Sequence, residues 1–324
     1  MKKFVNLSKK MDVSTGLYNL LSGRASSLLK DGTNRQRRHF GIEYEAAKYN
    51  GFDDTFDEES ALDAIYTLGQ HVNYRPEDLF EIKSDCSLNG DSFEIATAPM
   101  TESVLKVLDW DAMFEYLEQN GYKTSDFNRR ACNGIHCHVN KRSFSYVKQA
   151  GVNAELFMAE NYDLIRRFAR RHRYNFSRWS SFHPIWGGAD TDDLIHSASR
   201  GEYDEFLENR DWYDNSVAGS YVSLNDNRYR AVNFTNPNTY EIRIFNATLD
   251  ASVMEAIIDF NILIWDMADA PKYEISLEDF LAEARRRGMY NLVDQLENPY
   301  EGPDIDEGLI ECTRHDDYDE DDDW

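Results

Sequence analysis

Three short stretches of the chain alternate polar and apolar residues with a period of two, and this alternation restricts the fold more than any other feature. The polar pairs are Glu43 and Glu45, His136 and His138, and Glu241 and Arg243. Successive side chains point to opposite faces of a β-strand, so each pair lies on one face, opposite Tyr, Ile, Val and Phe. The pattern predicts a sheet with one apolar face and one polar face. Carboxylates collected on such a face need a cation, so the face predicts a binding site.

The rest of the chain predicts an α+β fold with a largely antiparallel sheet and flanking helices. Turn residues join segment 79–83 to 93–96 and segment 229–234 to 240–246, which predicts two hairpins. Another strand is expected over 39–48. Apolar periodicity predicts helices over 58–71, 101–120, 153–174, 252–269 and 277–288. In the first helix, Leu62, Ile65, Tyr66 and Leu68 are expected to face inward. Residues 175–215, rich in Trp, Ser and Gly, predict a long loop region over the site.

Charge and composition predict three segments. The composition, 41% hydrophobic and 13% aromatic with a net charge of −24, is that of a globular chain. We expect a basic arm over 1–37, a catalytic domain over 38–298 and an acidic, disordered tail over 299–324. The chain contains neither an apolar run of about 18 residues nor a signal-peptide pattern, so a soluble cytoplasmic protein is expected. The four cysteines lack CxxC spacing and are expected to be reduced.

If the polar faces converge, they supply a set of candidate metal ligands. This set comprises Glu43, Glu45, Glu94, His136 and Glu241, with Asp85 nearby. Carboxylates with one imidazole suit Mg²⁺ or Mn²⁺ better than a thiolate zinc site, and four or more carboxylates can hold more than one ion. Cys137 argues against zinc because the middle residue of a strand triplet points to the opposite face.

Arginines near these carboxylates indicate the reaction class. Arg230 and Arg243 are suited to hold a phosphate or a substrate carboxylate, because a guanidinium binds such oxyanions bidentately. Several metals and arginines without an obvious nucleophile favour phosphoryl transfer. The chain has neither a GxxxxGK[ST] nor a GxGxxG phosphate-binding loop.

Each feature also has a plainer interpretation. Glu43 and Glu45 could face solvent on an edge strand, and Glu241 with Arg243 could be a surface ion pair. Five arginines between positions 166 and 173 predict a solvated helix face, with phosphate contacts as the alternative. The run from Arg35 to Arg38 is compatible with nucleic-acid binding, but such runs are more often solvated surface. The shared phase of the three polar pairs favours one site over these separate explanations.

Five motifs follow one another between residues 38 and 265. They are FGIEYE from Phe40, KSDCSL from Lys83 with FEIATAP from Phe93, CNGIHCHV from Cys132, YRAVN from Tyr229, and YEIRIFNATLD from Tyr240. In this order they resemble the amidoligase family, the carboxylate–amine ligases related to glutamine synthetase and γ-glutamylcysteine ligase. Cys86 stands where the family often has glycine, which removes no ligand.

The resemblance implies a glutamine synthetase-like sheet, curved and mainly antiparallel, that binds ATP with two or more Mg²⁺ or Mn²⁺ ions. The enzyme would join a carboxylate to an amine through an acyl phosphate. By position, one metal would be held by Glu43, His136 and Glu241, and another by Glu45 and Glu94.

The resemblance also assigns the remaining site residues. Arg243, together with Glu241, would act on the transferring phosphoryl group, and Arg230 would contact substrate or phosphate. His138 would lie on the nucleotide side. The substrates themselves stay open: small molecules, peptides and proteins are all compatible, and nucleic acid is the least favoured. The alternatives are a non-catalytic binding or assembly module with this fold, and a metal-dependent hydrolase. The sequence does not give the oligomeric state.

Overall fold

The computed structural model describes residues 38–48, 55–84, 88, 90–124, 133–171, 191–203 and 230–300. The basic arm, Asp85, Cys86 and the tail beyond residue 300 lie outside the described residues, as does most of the Trp-rich stretch. None of the helices in the described part combines the length and the hydropathy that crossing a lipid bilayer requires.

One mixed sheet is the centre of the fold. Its seven strands, counted over the described residues, are β1 (Phe40–Ala47), β2 (Thr55–Phe56), β3 (Phe80–Lys83), β4 (Asp91–Thr97), β5 (Gly134–Asn140), β6 (Val232–Asn233) and β7 (Thr239–Asn246). The strand order is β2-β4-β1-β5-β7-β6, with β3 also paired to β4. Only the short β2–β4 pair is parallel. The predicted α+β class, the mainly antiparallel sheet and both hairpins are therefore confirmed.

The helices flank this sheet. In chain order they are α1 (Glu58–Leu68), α2 (Pro76–Leu79), α3 (Glu102–Leu105), α4 (Trp110–Gln119), α5 (Val147–Glu160), α6 (Tyr162–Phe168), α7 (Thr191–Ser199), α8 (Ala251–Ala268), α9 (Leu277–Arg286) and α10 (Tyr290–Glu297). Helix α8 is buried along most of its length, as its run of Ile, Leu, Phe and Trp predicts.

The apolar face of the sheet packs against these helices through aromatic rings. Tyr44 of β1 contacts Trp110 and Phe114 of α4, with ring centroids 6.2 and 5.5 Å apart. Tyr240 of β7 stacks on Trp265 of α8 at 5.2 Å. Because this face is sealed, the opposite face of the same strands is the one left for polar chemistry.

Two long helices predicted from periodicity are each divided in two. The segment predicted over 101–120 forms α3 and α4, because Asp109 accepts a hydrogen bond from the Ala112 amide and starts a new helix. The segment predicted over 153–174 begins earlier, at Val147, and α5 ends at Asn161, whose side chain donates to the Phe157 carbonyl. In both cases a short polar side chain competes locally with the helical backbone.

Three further expectations were wrong. Tyr66 does not face inward: it is 43% exposed, and its hydroxyl donates to Glu77. Part of the stretch predicted as loop, Thr191–Ser199, is helix α7. The predicted solvated arginine face also fails, since Arg166 and Arg171 are buried.

Candidate functional site

The polar residues predicted from the sequence do meet on one face of the sheet. In the strand register Glu43 lies opposite His136, Glu45 opposite Glu94, and His138 opposite Glu241. Directly opposed residues share a face, so four adjacent strands contribute to one polar surface. Glu45, Glu94, His136 and Glu241 are all buried.

Among the described residues, Glu43, His138 and Glu241 form a group that could hold a metal ion, with one ligand atom from each lying within 4.8 Å of the others. Nε2 of His138 is 3.5 Å from Oε2 of Glu43. The sequence selected His136 for this set and left His138 on the nucleotide side. The structure brings both imidazoles to Glu43, and His138 belongs to the three-residue group of possible ligands found in the described part.

His136 lies at the centre of the carboxylates. Its Nδ1 is 3.3 Å from Oε2 of Glu43 and 3.6 Å from Oε1 of Glu241, and its Nε2 is 3.8 Å from Oε1 of Glu45. Burial lowers the pKa of His136, with the nearby Arg243 guanidinium acting in the same direction and Glu43 and Glu241 opposing it. A neutral imidazole is the form that binds a metal.

Neighbouring charges of opposite sign shift the pKa values of Glu43, Glu241 and His138. Burial raises the pKa of Glu43, but His138 and His136 outweigh it and the net pKa is well below the usual value. Glu241 follows the same pattern, with Arg243 adding to the two imidazoles. For His138, burial lowers the pKa, yet Glu43 and Glu241 raise it to about 8. The low pKa values favour the ionised form of Glu43 and Glu241, which is the form that binds a hard cation.

Glu241 is fixed from two sides. Arg243 Nη1 donates to its Oε1, and Asn233 Nδ2 donates to its Oε2 at 2.7 Å. Asn233 lies directly opposite Glu241 in the β6–β7 pair. Arg230, which the sequence predicts as a substrate or phosphate contact, is buried. The carbonyl of the next residue, Ala231, accepts a hydrogen bond from the Arg243 amide at 3.0 Å.

The site also contains residues that the sequence did not predict. Lys83 Nζ lies 3.0 Å from Oε1 of Glu94 and 3.8 Å from Oε1 of Glu43, and the carboxylates raise its pKa against the effect of burial. Asn233 is the second such residue and Arg171 the third. Lys83 ends a strand directly opposite Glu94, so a correct β3–β4 register would have found it.

The donor set fits a divalent cation. Buried carboxylates on adjacent strands, with imidazoles between them, match the oxygen-rich sites that Mg²⁺ and Mn²⁺ prefer. The Nε2 atom of His138 is buried and makes no hydrogen bond among the described residues, although Oε2 of Glu43 lies 3.5 Å away. A divalent cation bound between the two would replace the proton that Glu43 favours on this imidazole. Cys137 is fully buried on the opposite face, and burial raises the pKa of its thiol, which disfavours a thiolate ligand.

Comparison with known proteins identifies the family. Residues 36–265 match the family model described as "Putative amidoligase enzyme". The search of curated proteins gave no match. The matched region begins just before β1, ends within α8 and contains every site residue described above. The chain therefore belongs to the amidoligase family.

Proposed function

We propose that this chain is an ATP-dependent ligase that joins a carboxylate to an amine, on a glutamine synthetase-like catalytic sheet. The observation that carries the proposal is the convergence of Glu43, His138 and Glu241 beside Arg243 on one sheet face. Membership of the amidoligase family supports the amide-forming class. A face of carboxylates, imidazoles and a guanidinium suits phosphoryl transfer by positioning and charge neutralisation.

Two divalent ions suit this donor set. The first would be held by Glu43 and Glu241 with an imidazole; the distances between ligand atoms support His138 in this role, and the sequence motif supports His136. The second would be held by Glu45 and Glu94. When bound, such ions neutralise the charge of the triphosphate and of the phosphoryl group in transfer.

The proposed reaction has two steps. A carboxylate oxygen of the acceptor attacks the γ-phosphorus of ATP, the bond to the β,γ-bridging oxygen breaks, and ADP leaves. The amine nitrogen then attacks the acyl carbon, inorganic phosphate leaves with the former carboxylate oxygen, and the nitrogen loses a proton. Arg243 binds the transferring phosphoryl group in this scheme, because its guanidinium offers paired donors to an oxyanion. Arg230 is assigned to substrate or phosphate.

The first test is nucleotide binding without turnover. Mg·ATP should raise the midpoint of thermal unfolding of the wild-type protein, because a ligand that binds only the folded state stabilises it by mass action. The Glu241→Gln variant should lose most of this shift. Glu115→Gln, at an exposed position of α4, is the matched control and should keep it. A wild-type protein whose midpoint does not respond to Mg·ATP would contradict the proposal.

The second test is turnover. ADP release should appear only when both a carboxylate pool and an amine pool are supplied, and hydroxylamine should trap the acyl phosphate as a hydroxamate. Release of product without nucleotide would instead indicate a metal-dependent hydrolase. Binding of Mg·ATP without turnover in any combined pool would indicate a binding module.

A further inference from the structure

Arg171 lies beside the site although the sequence predicts it on a solvated helix face. Its side chain is among the largest fully buried ones in the described residues, with 2% of its surface exposed. A guanidinium is rarely buried to this extent without a specific task for its donors. The contacts of its guanidinium described below are with protein groups.

The backbone immediately before Arg171 has a strained conformation. Helix α6 ends at Phe168, and Arg170 then adopts a φ of 52°, the one positive φ among the described non-glycine residues. This left-handed conformation is unfavourable for a residue with a long side chain and persists only where the surroundings enforce it. Here Arg170 donates to Gln295 of α10 at 3.3 Å, and its guanidinium lies over the Tyr300 ring.

The guanidinium of Arg171 contacts two of the four strands that carry the site, β5 and β7. Nη1 donates to the Arg243 carbonyl of β7 at 2.6 Å. The register of β5 against β7 shifts between Ile135 and Cys137, next to this bond, and such shifts re-aim side chains near active sites. Arg171 therefore supports the backbone of the residue that carries the candidate phosphoryl contact.

The other nitrogen of Arg171 lies against Gly134 of β5. A Cβ at Gly134 would lie 2.8 Å from Nη2 of Arg171, so only glycine leaves room for the guanidinium. The Gly134 amide in turn donates to the Glu45 carboxylate. The buried Arg171 side chain thus contacts the backbone at Gly134, whose amide orients Glu45, and the backbone carbonyl of Arg243.

We propose that Arg171 is a positioning residue, which holds the backbone at Gly134 and Arg243 so that Glu45 and the Arg243 guanidinium point to one place. That this place receives the phosphates of a nucleotide rests on the proposed function. The rigid fork of arginine suits the task because its two ends reach two strands at once, whereas the single ammonium of lysine reaches only one.

The experiment begins with a measurement that needs no nucleotide. Amide hydrogen exchange at Gly134 and Arg243 should be at least about tenfold faster in Arg171→Lys and Arg171→Met than in the wild-type protein, because these amides lose their local support. Gly134→Ala, which displaces the guanidinium without removing it, should give the same result. Arg166→Met removes another buried arginine of α6 and should leave these two amides unchanged. Unchanged exchange at both amides in the Arg171 variants overturns the proposal.

A second measurement separates positioning from general loss of structure. Arg171→Lys should bind the first Mn²⁺ ion, measured by electron paramagnetic resonance, within about threefold of the wild-type affinity, since Arg171 does not position Glu43 or His138 in this proposal and Asn233 still holds Glu241. Its affinity for a non-hydrolysable Mg·ATP analogue should fall at least about tenfold. Equal losses of both affinities, or of neither, overturn the proposal. If the wild-type protein does not bind the analogue, the proposed function fails, while the exchange result still decides the role of Arg171.

Discussion

The ammonium group of Lys83 lies 3.0 Å from Oε1 of Glu94, directly across the β3–β4 pair, and 3.8 Å from Glu43. Glu94 in turn lies opposite Glu45 in the β1–β4 pair, an arrangement of like charges that weakens a sheet. Lys83 thus supplies positive charge to a group of carboxylates that would otherwise repel one another. The stability of the site should depend on this charge and on the divalent cations that we propose.

The first prediction concerns Lys83→Met. In the presence of a chelator the variant should be less stable than the wild-type protein by about 0.5–1 kcal/mol, a modest value because the Lys83 side chain is partly exposed. With saturating Mn²⁺ the deficit should shrink, since the cation supplies the missing charge. Urea denaturation under both conditions measures the difference. Lys123→Met, which removes an exposed lysine, is the control, and a deficit that grows with Mn²⁺ would contradict the expectation.

Asn233→Asp should destabilise the fold through Glu241. The substitution replaces the amide that donates to Glu241 with a second carboxylate, while the bonds that Oδ1 accepts from Thr235 can persist. We expect a loss of about 1–3 kcal/mol in urea denaturation with chelator present, from the lost donor and the buried like charge. Asn236→Asp is the matched control in the same hairpin. The Asn236 side chain is exposed, and the hydrogen bond that its Oδ1 accepts can also be accepted by an aspartate oxygen. Equal stability of the two variants would refute this role of Asn233.

Asp57, the N-cap residue of α1, should make the stability of the fold decrease at acid pH. Burial raises the pKa of Asp57, but hydrogen bonds from Lys48, Tyr122 and Ser60 outweigh it and lower the pKa to about 2. The pKa of Asp57 in the folded state is thus lower than its value of about 3.9 in the unfolded state. The ionised carboxylate therefore stabilises the fold at pH values above about 4, and this stability is lost as the pH falls towards 2. Asp57→Asn should therefore cost about 1–2 kcal/mol at pH 6, after allowance for partial exposure.

The pH profile of the same variant is the sharper test. The stability difference between the wild-type protein and Asp57→Asn should be constant from pH 5 to 7 and should shrink below about pH 4. Chemical denaturation at intervals between pH 3 and 7 measures this directly. A difference that stays constant down to pH 3 would show that the carboxylate charge contributes nothing.

Gly151→Ala should lower stability although alanine favours helices. Gly151 lies in α5 against the β6–β7 hairpin, and a Cβ there would come within 2.4 Å of the Phe234 ring and 2.9 Å of the Tyr240 ring. Overpacking costs about 1–3 kcal/mol, whereas the gain in helix propensity is about 1 kcal/mol. We expect a net loss of up to about 2 kcal/mol in thermal or urea unfolding. Lys148→Ala, at an exposed position of the same helix, should change stability by less than about 0.5 kcal/mol.

The strands and the polar face could be predicted because their signal is local. The alternation at Glu43-Tyr44-Glu45 and its counterparts in β5 and β7 needs no knowledge of distant residues. Several helix ends were predicted to within a residue, such as the starts at Glu58 and Leu277. The breaks inside two helices could not be predicted, because the cap at Asp109 and the break at Asn161 depend on single side-chain hydrogen bonds.

The supporting residues of the site depend on long-range pairing. Lys83 and Asn233 belong to it through strand register, and Arg171 through a turn with a left-handed residue. No periodicity in the sequence reports these relationships. The division at residues 38 and 298 stays a prediction, as do the roles of the basic arm and the acidic tail.

The order of strands in the sheet has a consequence for how the protein is made. Glu43 lies on β1 and Glu241 on β7, with β5 between them in space and about 200 residues of chain between them in sequence. During synthesis the first carboxylate leaves the ribosome long before the last, so no nascent fragment that lacks β7 contains the complete ligand group. The nucleotide and cation binding that we propose would therefore report that β7 has joined the sheet, and neither would guide the earlier steps.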